Sequence, residues 1–174
     1  AGSTVCAPSR CVLMTGKHTG HCYIRGNSGL AMPPSETTVA KLLQDGGYST
    51  GLFGKWGLGR EGSIGMPTSH GFDVFFGYLS QRHAHNYWPE YLVRGDADGV
   101  RRVELDNVVP KAGKEGQGEA TEKLDYAHDR ILNEAKDWLT AVEGPFFCYL
   151  PITLPHANNE ARSSHGMEVP DYGE

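Results

Sequence analysis

The chain has 174 residues, with 16 Lys and Arg against 21 Asp and Glu, a net charge of −5, 39 % hydrophobic and 21 % charged residues. That length holds one domain with a real core, and the composition excludes a disordered chain. No basic patch suits a phosphate backbone, so no nucleic-acid partner is expected, and the longest charge-free apolar run, Pro145 to Pro155, is only 11 residues, too short for a membrane span.

Glycine is the compositional outlier at 23 residues, so much of the chain is turn and shaped loop. Ser9 to Thr15 predicts a short helix stopped by Gly16, with Cys6 just ahead of its N-terminus. Ser35 is placed to cap a second helix, with Val39, Leu42 and Leu43 as its apolar stripe and Gly46-Gly47 as its end. Tyr48 to Trp56 reads as a buried strand, and Phe72 to Leu79 as a further strand or a packed loop. Tyr91–Arg94 and Val100–Leu105 flank Gly-Asp-Ala-Asp-Gly, a five-residue turn that predicts a surface hairpin. Pro110 to Glu122 reads as an exposed loop. The clearest helix runs from Tyr126 to Val142, where Ile131, Leu132, Ala135, Trp138, Leu139 and Val142 fall at helical spacing before Gly144-Pro145. Phe146 to Thr153 predicts a central parallel strand, apolar on both faces. This alternation predicts an α/β fold, a mainly parallel sheet covered by helices. Such sheets place their sites beyond the C-terminal ends of strands, here after Tyr48–Trp56 and Phe146–Thr153.

Four cysteines, Cys6, Cys11, Cys22 and Cys148, form no C-x-x-C pair, so neither a zinc ribbon nor a disulfide scaffold is expected. Cys148 reads as a small buried hydrophobe. Neither Ala1 nor Glu174 resembles a natural terminus, and the expectation is one domain cut at both ends.

The most specific stretch is Cys6-Ala7-Pro8-Ser9-Arg10, continued by Leu13-Met14-Thr15-Gly16. It sets a thiol at a helix entrance, where free N–H groups favour an anion, and adds the donor fork of Arg10. The string resembles the sulfatase signature at every fixed position. Gly47-Tyr48-Ser49-Thr50-Gly51-Leu52-Phe53-Gly54-Lys55-Trp56-Gly57-Leu58-Gly59 resembles the family's second motif. Gly71-Phe72-Asp73 and the stretch from Pro145 to Pro155-His156 extend the likeness across the chain, with Gly95 to Glu122 the least diagnostic part.

The resemblance implies a type I, formylglycine-dependent sulfatase with an alkaline-phosphatase-like α/β fold, represented by the N-terminal part of its catalytic domain. It implies that Cys6 is converted to formylglycine by a formylglycine-generating enzyme. One hydroxyl of the hydrated aldehyde then attacks sulfur, and the other loses its proton to expel sulfate. It makes Arg10 the residue that holds the converted side chain, Lys55 a sulfate contact, and His156 a sulfate contact that protonates the leaving oxygen. The metal implied is Ca²⁺, with the converted Cys6 among its oxygen ligands and the rest outside these residues. Family usage also implies a sulfated small molecule or glycan as substrate and a periplasmic or secreted location. The isolated fragment is expected to be inactive.

One position departs from the pattern. The family carries His two residues after the lysine, and Gly57 stands there instead. The cluster Gln81-Arg82-His83-Ala84-His85-Asn86-Tyr87 offers two replacements, His85 and His83, as base or substrate-binding groups. A phosphonate monoester hydrolase or phosphodiesterase of the same superfamily shares the signature, and a non-catalytic sulfated-ligand binder fits Gly57.

Overall fold

The computed structural model describes residues 2–161 and 166–173. The first helix, α1, spans Cys6–Thr15, with Val5 extended ahead of it and Gly16 closing it in the left-handed region at φ 67°. It begins three residues before the predicted Ser9, so Cys6 is its first residue and not its forerunner. Pro8 fits inside a first turn, where its missing N–H has no carbonyl to serve. One free donor of that turn is answered from a distance, the Ala7 N–H donating to Asn27 Oδ1 at 3.0 Å.

The second helix, α2 (Val39–Asp45), is capped by Thr38 and not by Ser35. Thr38 Oγ1 accepts from the Lys41 N–H at 3.0 Å and donates to the His70 carbonyl at 2.6 Å, a pairing that Ser35 does not make. Ala40, not the expected stripe, is its buried residue, and Leu42 is exposed.

Five strands form one sheet in the order β4-β3-β2-β1-β5. β1 (Ser49–Lys55) lies parallel to β2 (Val74–Tyr78) on one side and to β5 (Phe146–Tyr149) on the other, with Leu52 opposite Phe75 and Gly51 opposite Cys148. β3 (Tyr91–Asp96) and β4 (Gly99–Glu104) extend the sheet antiparallel from β2. The segment Phe72–Leu79 thus holds a strand, β2, at Val74–Tyr78. The hairpin turn holds two residues, because pairing continues to Asp96 and Gly99, and its first strand is largely buried in the main sheet. β5 is an edge strand of the described sheet and stops at Tyr149, so the expected central strand to Thr153 is corrected. Cys148 there is half-buried.

Alternation along β1 sends neighbouring side chains to opposite faces. Leu52 joins Cys11 and Met14 of α1, Ala40 of α2, Trp56, Phe72 and Phe75 in one core. Phe53 joins Phe76, Tyr78, Ile131 and Ala135 in the other, under α3 (Ala127–Ala141). Helices therefore cover both faces, as the alternation predicts. The expected exposed loop 110–122 is instead packed down in part, with Gly116 and Ala120 buried. Gly116, at φ +84°, crosses the His83 ring where a Cβ would stand 2.7 Å from it. Among the described residues no helix is long and apolar enough to cross a membrane.

Candidate active site

The site lies at the C-terminal end of β1, where the strand delivers Lys55, only 2 % exposed. α1 points Cys6 and Arg10 at it, and residues four apart share a helix face. Arg10 Nη1 donates to the Lys55 carbonyl at 2.5 Å and meets the Tyr149 hydroxyl at 3.4 Å. Arg10 Nε is buried and has no partner among the described residues. Burial pushes the Lys55 ammonium down to about 8, with Arg10 adding to the effect and Cys6 and Glu160 opposing it.

The loop after β5 delivers His156. Its Nδ1 pairs with the Ala157 carbonyl at 2.7 Å, and since a carbonyl only accepts, Nδ1 carries the hydrogen. The Tyr87 hydroxyl holds the His156 carbonyl at 2.5 Å. His85, at the end of the 3₁₀ turn His83–His85, stacks on His156 with ring centroids 4.4 Å apart and planes at 12°. Its Nδ1 lies 2.8 Å from Glu160 Oε2.

Two clefts meet here. One, of about 640 Å³, is lined by Arg10, Lys55, Tyr149 and His156, and the other, of about 380 Å³, by Arg60, Gln81 and Glu160. Cys6, Asn27 and His85 line both, so residue 6 stands at their junction.

Of the residues singled out in the sequence, Cys6, Arg10, Lys55, His85 and His156 come together. His83 does not join them. It is buried between Tyr78 and Tyr91, with ring centroids at 5.1 and 4.6 Å, and burial pushes it down to about 3. Gly57 adopts φ +78°, and a Cβ there would stand 1.9 Å from Gln81 Nε2. That amide donates to the Gly57 carbonyl at 3.0 Å, so Gln81 fills the space a side chain at 57 would need. Glu160 was missed by sequence reasoning, because a lone Glu in a polar loop carries no periodic or motif signal.

The described residues do not build a calcium site. Among them no group of three His, Cys, Asp or Glu side chains is placed to hold a metal ion, and Cys6 is flanked by two cations, Lys55 and Arg10. Ca²⁺ needs six to eight oxygens. An oxygen-bearing side chain at position 6 does fit, because it shares its cleft with the two cations Lys55 and Arg10.

Comparisons with known proteins bear on the same residues. Human arylsulfatase D is 38 % identical over 121 residues, covering 61 % of this chain and 18 % of that protein. Mouse arylsulfatase J is 44 % identical over 106 residues, covering 58 % and 17 %. The matched part of the chain thus covers less than a fifth of the length of these relatives. A solved protein in complex with its substrate D-glucosamine-2-N,6-O-disulfate superposes with a TM-score of 0.61 at 25 % identity, covering 90 % of this chain and 26 % of that one. A sulfatase from Pseudoalteromonas sp. shares the fold with a TM-score of 0.62 at 21 % identity, covering 92 % and 36 %. The family model described as Sulfatase matches residues 1–169, nearly the whole length over which α1, the sheet and the His156 loop converge, and the chain belongs to the sulfatase family.

Proposed function

We propose that this chain is part of a single sulfatase catalytic domain that hydrolyses sulfate esters, with sulfated carbohydrates as the substrate class. The observation that carries the reading is the convergence of Cys6, Arg10, Lys55, His85 and His156 on one cleft. The glucosamine disulfate bound by one fold relative supports the carbohydrate class.

On this reading Cys6 is the formylglycine precursor, and formylglycine supplies the hydroxyl nucleophile and the elimination that frees sulfate. The chain's own residues bind and move protons around it. Lys55 and Arg10 place positive charge where sulfate oxygens gather charge during transfer. His156 has Nδ1 committed to the Ala157 carbonyl and presents Nε2 to the site, where in its imidazolium form it passes the Nε2 proton to the departing alcohol oxygen and is left neutral. His85 lies flat against it and lines both clefts with Cys6, placed to take up a proton. Ca²⁺ follows from the family resemblance alone, and no step here is drawn through it. A formylglycine-generating enzyme is the maturation partner, and the location is periplasmic or secreted.

Peptide mass spectrometry of the Cys6 segment from a host with the modifying enzyme tests the assignment. An aldehyde in place of the thiol is expected; unmodified cysteine from a host that modifies a control sulfatase contradicts it. Lys55→Ala and His156→Ala in the full-length protein should each lower turnover by about 10²- to 10⁴-fold.

A further inference from the structure

The site needs a proton acceptor besides His156, and position 57, two residues past the buried Lys55, cannot provide one. It is a glycine, and the space beside it is filled by the Gln81 amide, which holds the Gly57 carbonyl and takes no proton. Arg10 is a cation held by the Lys55 carbonyl and Tyr149, and Lys55 is a buried ammonium lining the same cleft. The imidazoles lining the cleft that holds Cys6 and Lys55 are His85 and His156, and the second serves the leaving oxygen.

We propose that Glu160 is a positioning residue that fixes His85 as the proton acceptor of this site. This rests on the sulfatase reading above. Glu160 Oε2 stands 2.8 Å from His85 Nδ1. A carboxylate has no hydrogen to give, so Nδ1 must carry one, and the neutral ring keeps its lone pair on Nε2. The same contact holds the ring flat on His156. The charged groups facing His85 are Glu160, Lys55 and His156. Burial, Lys55 and His156 all disfavour a proton on the ring, and Glu160 favours it. Glu160 therefore allows His85 to hold an abstracted proton beside an ammonium and a second imidazole, a task the ring alone meets poorly.

The test uses the full-length, matured protein with para-nitrophenyl sulfate. Glu160→Gln keeps the size and an acceptor oxygen but removes the charge. The expected result is a fall in kcat of about 10- to 100-fold, with the acidic limb of the pH–kcat profile displaced to lower pH as His85 becomes harder to protonate. Glu160→Asp should recover part of both effects. His85→Ala should abolish that limb, and adding Glu160→Gln to it should cost nothing more. A fall in kcat with the limb unmoved assigns Glu160 to packing alone and overturns the proposal, as does no change, or an additive loss in the double variant. Wild-type protein that turns over no sulfate ester overturns the sulfatase reading itself, and this inference with it.

Discussion

Arg10 grips Lys55 by its backbone and not its side chain: Arg10 Nη1 donates to the Lys55 carbonyl at 2.5 Å, while Lys55 and Cys6 line one cleft. This contact sews the start of α1 to the end of β1 and sets both cations around residue 6. Both contacts are made by the one nitrogen Nη1, at the far end of a planar, permanently charged guanidinium whose reach and spread of charge a lysine ammonium does not copy. Arg10→Lys and Arg10→Ala should therefore lower kcat/KM by about 10²-fold or more. Both should also lower the thermal midpoint, because a buried carbonyl left without its donor costs about 1–3 kcal/mol. Steady-state kinetics and a melting curve check both; an Arg10→Lys variant with wild-type kcat/KM would remove the guanidinium from the site.

His85 and His83 sit two residues apart and should behave differently. His83 packs against Tyr78 and Tyr91, so His83→Ala should lower stability while sparing kcat. His85→Ala should leave sulfate transfer intact and slow the step after it, seen as a burst of released alcohol followed by a stall. A rise in KM with kcat unchanged would place His85 in substrate binding instead.

One substitution does not seat a histidine at position 57. At φ +78° any other residue is strained by about 1–2 kcal/mol, and the new side chain meets the Gln81 amide. Gly57→His should melt earlier than wild type with no gain in kcat, and Gly57→His with Gln81→Ala should recover only the part due to collision. Differential scanning of the three proteins decides it; a Gly57→His variant as stable as wild type contradicts the packing described.

Much of this was readable in the sequence where local chemistry acts alone. Periodicity placed α3 to within a residue at each end, and Gly46 and Gly16 marked the ends of their helices. The signature strings named Cys6, Arg10, Lys55 and His156 before any geometry. What failed depended on distant partners. Thr38 caps α2 because the His70 carbonyl, 32 residues on, completes its pairing. α1 starts at Cys6 because Asn27 serves its first turn. Glu160 gained a role only when the loop after β5 folded back onto the His83–His85 turn, and nothing in the local pattern signals that contact.

The most direct test of the account is release of inorganic sulfate from sulfated monosaccharides and para-nitrophenyl sulfate by the full-length protein, made alongside a formylglycine-generating enzyme, with Cys6→Ala measured in parallel. The account predicts sulfate release by the wild type and none above background from Cys6→Ala, with Cys11→Ala retaining turnover. Sulfate release that survives Cys6→Ala, or a matured wild-type protein that releases none, contradicts it.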